Sequence, residues 1–224
     1  MHVFFEQENL DAYLSGFFWI LKLTGASAVL ALGFGVLLAA MRVSPIPVLR
    51  GVGTAWVNIF RNTPLTLVIF FSFFGLFSTL GLEFSDELDT NQFWLGVVGL
   101  SAYTAAFVCE AFRSGINTVP PGQAEAARAV GLTFAQTLRI VVLPQAGRAV
   151  IAPLGSVLIA LCKNSTIVGT IGLLESSNIM KQLINDNGDA VIEIFLVFAG
   201  TFAVVLIPTG YVFGWLANKL AVRR

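Results

Sequence analysis

One stretch in the second half of the chain reads Pro120-Pro121-Gly122-Gln123-Ala124-Glu125-Ala126-Ala127-Arg128-Ala129-Val130-Gly131-Leu132-Thr133-Phe134-Ala135-Gln136-Thr137-Leu138-Arg139-Ile140-Val141-Val142-Leu143-Pro144. The two prolines fix the backbone and need no amide partner, so a helix is predicted to start after them. The alanines favour this helix, and Gly131 suits the left-handed residue that ends it. Thr133 and Gln136 form a capping-box pattern, which predicts a second short helix that Pro144 limits.

The first of these helices has the chemistry of a docking surface. Its alanines give a thin, smooth helix that another protein can approach closely. Glu125 lies in the first turn, where the helix dipole favours an acid, and it can accept charged hydrogen bonds from a partner's arginine or backbone amides. The alternative interpretation is an ordinary helix-turn-helix within a loop.

The composition of the 224 residues is that of an integral membrane protein. Hydrophobic residues make up 56% and charged residues 12%, whereas soluble domains have about 45–50% and about 25%. The net charge of zero gives no general attraction to nucleic acid. The single histidine, His2, excludes histidine catalysis. Cys109 and Cys162 lie in apolar stretches, so buried thiols are expected, with no disulfide or metal site.

Five stretches are apolar and long enough to cross a bilayer, which takes about 20 residues of helix. They are 17–41, 57–82, 94–112, 149–173 and 191–217. We therefore predict an all-α membrane protein with one domain, residues 1–224, and a long loop, 113–148, between the third and fourth spans.

The short loops predict the orientation, because lysine and arginine accumulate on the cytoplasmic side of membrane proteins. The basic regions contain Arg42 and Arg50; Arg113, Arg128, Arg139 and Arg148; and Lys219, Arg223 and Arg224. The other loops have Lys181 as their only cation, beside Glu83, Asp86, Glu87, Asp89, Glu175, Asp186 and Asp189. The N-terminus is predicted outside, and the loop 113–148 and the C-terminus in the cytoplasm.

The long loop resembles the signature loop of bacterial ABC-importer permeases. That family pattern is Glu-Ala-Ala, three residues, Gly, nine residues, an aliphatic residue, one more residue, then Leu-Pro. The chain keeps every spacing, with valine at 141 where the family usually has isoleucine. The resemblance implies a type I importer fold and a coupling helix that sits in a groove of an ATPase subunit. The coupling residues it implies are Gly122, Glu125, Ala126, Ala127, Gly131, Leu143 and Pro144.

Three further stretches resemble the branch of this family that takes up polar amino acids. They are Arg61-Asn62-Thr63-Pro64-Leu65, Glu110-Ala111-Phe112-Arg113-Ser114-Gly115-Ile116 and Lys163-Asn164-Ser165-Thr166. The chain departs from the branch at Asn62, where glycine is usual, and at Asn164, where aspartate is usual. The phrases 61–68 and 114–119 look closest to glutamate-uptake permeases of actinobacteria. The resemblance implies glutamate as the substrate, with glutamine or another polar amino acid as the alternative.

The same resemblance implies a set of partners in a bacterial cytoplasmic membrane. The chain lacks the phosphate loop Gly-x-x-x-x-Gly-Lys-Ser/Thr, so it is predicted not to be an enzyme, and ATP and Mg²⁺ are expected on two copies of a separate ATPase. An extracytoplasmic amino-acid-binding protein is expected to deliver substrate. Five spans without an internal repeat cannot form two symmetric halves, so a second permease, identical or homologous, is expected.

Two rival classes remain at this stage. A stand-alone ion-coupled carrier or channel gives no reason for the spacing in the long loop. A membrane-embedded enzyme needs a convergent catalytic set, which one terminal histidine and scattered acids do not supply.

Lys163 lies inside the fourth predicted span, where a charge costs at least about 2.5–3.5 kcal/mol without a partner or a wet cavity. Ser156, Thr166 and Thr170 share its helix face, and this polar stripe is predicted to face the interior. Lys163 either meets a substrate carboxylate, pairs with a helix of a partner subunit, or extends to the head groups.

Glu110 lies near the inner end of the third predicted span, on the order of 15 Å from the depth of Lys163. It is therefore expected to meet Arg113 or another cytoplasmic cation, either as a gate or as a packing residue.

Arg61 precedes Pro64 by three residues, and Asn58 and Asn62 share one helix face. Either a broken helix lines a cavity here, or residues 54–62 form an interfacial helix with Arg61 as a head-group anchor, and the span begins at Pro64. The candidate substrate-pathway residues are Arg61, Asn62, Thr63, Pro64, Glu110, Lys163, Asn164, Ser165 and Thr166.

Overall fold

The computed structural model describes residues 2–220, and it contains no strand within that range. In chain order the helices are α1 (Gln7–Val43), α2 (Pro47–Asn62), α3 (Leu65–Phe70), α4 (Leu88–Asn117), α5 (Pro121–Ala129), α6 (Phe134–Thr137), α7 (Leu143–Asn164), α8 (Ser176–Asp186) and α9 (Val191–Leu220). Irregular segments extend three of them: π-helical turns at Phe71–Thr79 and Leu138–Val142, and a 3₁₀ segment at Ser165–Ile171. Two of the basic residues used to predict the orientation, Arg223 and Arg224, lie outside the described residues.

Four unbroken helices are long and apolar enough to cross a membrane: Gln7–Val43, Leu88–Asn117, Phe134–Ile171 and Val191–Lys219. They correspond to the first, third, fourth and fifth predicted spans. The helices of the first, third and fourth spans begin well before the apolar stretches that predict them. The reason is that the helical backbone hydrogen bonds continue through polar turns outside the hydrocarbon.

The second predicted span, 57–82, is not one straight helix. The chain turns by 108° between α2 and the helix Leu65–Thr79, because Pro64 has no amide to donate and disfavours helical geometry at Thr63. The part after the turn is 15 residues, about 22 Å of helix, shorter than the hydrocarbon core of about 30 Å. The structure therefore has the break expected at Pro64, and the helix after this break is too short to form a complete span by itself.

α4 is the central helix of the bundle. The rest of the chain buries 67% of its most apolar stretch, against 11% for the corresponding stretch of α9. α1 packs most extensively on α4, and α7 packs on another side of it. The α1 crossing is close because Gly35 has no side chain: a β-carbon there would lie 2.9 Å from the carbonyl oxygen of Ala105 in α4.

At the end of the bundle opposite α5, a buried carboxylate holds the connection into α8. Glu175 is fully buried, and it accepts hydrogen bonds from the backbone amides of Ser177 (2.8 Å) and Asn178 (3.1 Å). Burial raises the pKa of Glu175 above its ordinary value, although these hydrogen bonds act in the opposite direction. The sequence identifies Glu175 only as a loop acid, whereas in the fold it caps a helix.

Candidate functional site

The helix predicted from the prolines is α5, which begins at the second proline and not after it, and which ends at the predicted place. Pro121 is its first residue, and Gly131 has a φ of +97°, the left-handed conformation expected of the residue that ends it. The amide of Gly131 donates to the carbonyl of Arg128 (3.0 Å), and the amide of Leu132 donates to that of Ala127 (3.1 Å). These two bonds form a Schellman motif, in which a left-handed residue is required.

α5 presents one face to solvent and packs the other on the protein. Ala127 is buried, whereas Glu125, Ala126 and Arg128 are exposed. Gln145 at the start of α7 donates to Gln123 over 2.5 Å and fixes the position of the short helix. The exposed face, with a single carboxylate among small side chains, remains open to a partner.

Apolar side chains next to α5 are also exposed. Val130 is 80% exposed, Phe134 54% and Ile140 60%. Leu143 and Pro144, which the sequence predicts as coupling residues, are also exposed. Exposed apolar side chains beside charged groups such as Glu125, Arg128 and Arg139 are typical of a protein interface.

The capping box is present as predicted. Pro144, however, does not end the helix that begins at the capping box. Thr133 and Gln136 cap each other reciprocally. The chain then widens into the π-helical turn Leu138–Val142, in which the amide of Leu143 donates to the carbonyl of Leu138. The wider turn accommodates a proline that cannot donate, so the helix continues into α7 with Pro144 in its first turn. The expectation that Pro144 limits the short helix is wrong.

Glu110 binds three arginines at one end of the bundle, and we name these four residues the inner charge cluster. Its carboxylate forms ion pairs with Arg42 at the end of α1, with Arg113 in α4 (2.9 Å) and with Arg61 in α2 (3.6 Å). The expectation that Glu110 meets Arg113 or another cytoplasmic-side cation is confirmed. A single carboxylate thereby connects α1, α2 and α4.

The four side chains of this cluster differ in exposure to solvent. The side chains of Arg42 and Glu110 are 14% and 20% exposed, whereas those of Arg61 and Arg113 are 48% and 43% exposed. The Arg42–Glu110 pair is therefore the protected one, and the other two guanidinium groups retain a free surface.

The remaining residues of the Arg61–Pro64 stretch form the bend between α2 and α3. Asn62 donates to the carbonyl of Asn58 (2.7 Å), and Thr63 donates to that of Ile59 (2.8 Å). These bonds satisfy carbonyl groups in the last turn of α2, next to the break at Pro64.

The polar stripe of the fourth span lies on the surface of the chain. Lys163, Ser156 and Thr170 are exposed, and Thr166 is half-buried. The expectation that this stripe faces the interior is wrong for the isolated chain. A lysine at membrane depth needs a polar neighbour, so an exposed Lys163 fits a second chain, a water-filled path or the head groups.

Ser165 lies apart from this stripe. It is fully buried, and its hydroxyl donates to the carbonyl of Cys162 (2.7 Å). The hydroxyl of Thr24 in α1 lies 3.5 Å from it. Its location indicates a packing role between α7 and α1. Cys162 and Cys109 are buried free thiols, as predicted.

A cavity of about 360 Å³ opens between α4 and α7, within the range of small-molecule sites. Its lining consists of Tyr103, Thr104, Phe107, Ser156, Val157, Ala160, Leu161 and Asn164. Asn164 is the one predicted pathway residue in this lining. Sequence reasoning missed Tyr103 and Thr104, since their pattern in α4 resembles ordinary helix packing. The ion pair of Arg42 with Glu110 was also missed, because Arg42 was used only to predict the orientation in the membrane.

Comparison with known proteins identifies the class. The family model described as "Binding-protein-dependent transport system inner membrane component" matches residues 31–222. The chain belongs to this permease family. It is therefore a multi-pass membrane component of a binding-protein-dependent transport system, a class that works with an ATPase and a binding protein.

Several relatives support this assignment over nearly the whole permease. The chain is 48% identical to "Glutamate transport system permease protein GluC" of Corynebacterium glutamicum, over 92% of this chain and 93% of that protein. It is 35% identical to "Probable glutamine ABC transporter permease protein GlnM" of Bacillus subtilis, over 95% of both.

Solved structures confirm the predicted type I importer fold. The structure described as "Crystal structure of an amino acid ABC transporter with histidines" matches with a TM-score of 0.84 at 27% identity, over 95% of both chains. The inward-facing MetNI methionine ABC transporter shares the fold at 20% identity, with a TM-score of 0.74.

We predict that the inner charge cluster stabilises the permease mainly through its protected pair. Replacing Glu110 with Gln leaves three guanidinium groups close together, so the free energy of unfolding should fall by roughly 1–3 kcal/mol. Arg42→Gln should cost nearly as much, and Arg61→Gln much less, because Arg61 is half exposed. Thermal unfolding of the purified variants in detergent measures this.

Glu125→Gln is the matched control, since Glu125 is exposed on α5, and its unfolding should not change. Equal stability of Glu110→Gln and the native permease would contradict a structural role for the cluster.

Proposed function

We propose that the chain is the permease subunit of an ATP-driven importer of glutamate. The observation that carries the substrate assignment is the 48% identity to the glutamate permease of Corynebacterium glutamicum, which extends over more than nine tenths of both chains. Glutamine is the alternative, because the permease assigned to it in Bacillus subtilis is 35% identical over a similar length.

The coupling proposal rests on the exposed face of α5. ATP and Mg²⁺ bind to two copies of a separate ATPase, each of which receives one α5 helix. The small side chains allow close approach, and Glu125 accepts hydrogen bonds from the ATPase. The conformational change that follows ATP hydrolysis then reaches the membrane through the short helix and its contact with α7.

The orientation proposal rests on charge. α5 and the inner charge cluster face the cytoplasm, and the acidic connections before α4 and around α8 face outward, where the binding protein docks. The N-terminus lies outside and the C-terminus inside.

The polar stripe of α7 faces a second permease chain across the transport pathway. This arrangement removes Lys163 from lipid without an ion pair inside its own chain. The cavity beside it offers the hydroxyl groups of Tyr103 and Ser156 and the amide of Asn164. The carboxylates of a glutamate bound in this cavity can accept hydrogen bonds from these groups. Lys163, the residue before Asn164, supplies a positive charge.

We predict that Gly131→Val uncouples ATP hydrolysis from uptake. Valine at a φ of +97° is strained by about 1–2 kcal/mol, so the end of α5 shifts and docking is impaired. In vesicles that contain the permease with its ATPase and binding protein, uptake should fall by about tenfold while membrane insertion is normal. Gly147→Val in α7, at an exposed position with open space for a β-carbon, is the control. Normal uptake by the Gly131 variant would contradict the docking proposal.

We predict that Lys163→Met weakens glutamate uptake by raising KM about tenfold, since a charged hydrogen bond contributes about 1.5–3 kcal/mol. The same vesicles, supplied with radiolabelled glutamate and with unlabelled glutamine as competitor, measure both the effect and the substrate preference. Lys219→Met at the end of α9, also exposed, is the control. Unchanged kinetics would make Lys163 structural, and stronger uptake of glutamine would reverse the substrate assignment.

A further inference from the structure

The inner charge cluster has more positive than negative charge. Three guanidinium groups surround the one carboxylate of Glu110, which leaves a net charge of +2. Between residues 90 and 174 the sequence contains only one other acid, Glu125, which lies on the solvent face of α5. The excess charge is therefore not neutralised from this part of the chain.

The excess lies on the two exposed arginines. Arg113 donates two hydrogen bonds to Glu110, at 2.9 and 3.3 Å. Arg61 approaches the same carboxylate oxygen, but at 3.6 Å, a long contact. Because both guanidinium groups face one oxygen, the two contacting nitrogens are separated by at most the sum of 2.9 and 3.6 Å, about 6.5 Å. An anion with several oxygens can bridge such a pair, and guanidinium groups match phosphate geometry.

The helix that carries Arg61 has the amphipathic pattern of a helix at the level of phospholipid head groups. α2 exposes an apolar stripe of Val48 (72%), Val52 (52%) and Ile59 (60%), spaced by four and seven residues. Its opposite face, with Gly53 and Val57, is buried on the protein. A helix with this pattern is typical of the boundary between head groups and acyl chains, so we infer that its two arginines, Arg50 and Arg61, lie at phosphate level. Of these two, Arg61 is the one that belongs to the inner charge cluster.

We propose that Arg61 and Arg113 bind the phosphate of an anionic phospholipid in the inner leaflet. Basic pockets between membrane helices on the cytoplasmic side bind such head groups. The bound lipid neutralises part of the excess charge and links α2 to α4 across the bend at Pro64. The site depends on the orientation proposed from the charges but not on which amino acid is transported.

Spin-labelled lipids test the site in the assembled transporter, purified with its partner subunits and reconstituted in phosphatidylethanolamine. The fraction of immobilised label is compared for phosphatidylglycerol and phosphatidylcholine. The native complex should prefer phosphatidylglycerol, and Arg61→Gln should lower this preference by about fivefold. Arg61→Lys should retain most of it. Arg50→Gln, which removes an exposed arginine eleven residues earlier on the same helix, should leave it unchanged.

Three outcomes overturn the proposal. An equal preference in the native complex and in the Arg61→Gln, Arg113→Gln double variant shows that the lipid binds elsewhere or not at all. A loss in Arg50→Gln as large as in Arg61→Gln indicates only a general surface potential. Displacement of the lipid by inorganic phosphate, added at millimolar concentration, shows a site for free anions. Arg61→Gln removes neither partner of the Arg42–Glu110 pair, which keeps folding separate from binding.

Discussion

The ion pair between Glu110 and Arg42 determines where the inner end of the bundle is held. Both side chains are largely shielded from water, so their attraction is screened less than that of an exposed pair. The pair fixes the end of α1 against α4, the central helix, and Arg61 and Arg113 add weaker contacts around the same carboxylate. Because α4 leads directly into α5, the position of the docking helix depends on this interaction.

The low polarity of the hydrocarbon core determines which of the remaining helix surfaces can face lipid. α9 presents almost only apolar side chains and buries little of its length within the chain, so it suits contact with lipid. α7 instead exposes Lys163 and Ser156 at membrane depth. Acyl chains can surround the apolar face of α9, but they cannot solvate the polar face of α7. The exposed polar face of α7 is the reason for the proposal that a second permease or a water-filled path covers it.

Local features were predictable from the sequence because their physical causes are local. The start of α5 at Pro121 and the left-handed Gly131 follow from the backbone preferences of proline and glycine. The spans follow from composition. The Arg42–Glu110 pair was not predictable, since its members are 68 residues apart and meet only when α1 crosses α4. The prediction for Pro144 was wrong because a π-helical turn before the proline accommodates its missing amide donor. No local sequence signal indicates this turn. The polar stripe of α7 was correctly recognised, but in the isolated chain it lies on the surface, because periodicity identifies a face without showing what covers it.

The most direct test of this account is the structure of the assembled transporter in lipid nanodiscs, determined by electron cryo-microscopy. The account predicts that α5 sits in the ATPase with Glu125 hydrogen-bonded to it, and that a second permease or a water-filled path covers Lys163. A structure in which α5 is in solvent while the ATPase binds elsewhere, or in which Lys163 contacts acyl chains, would contradict it.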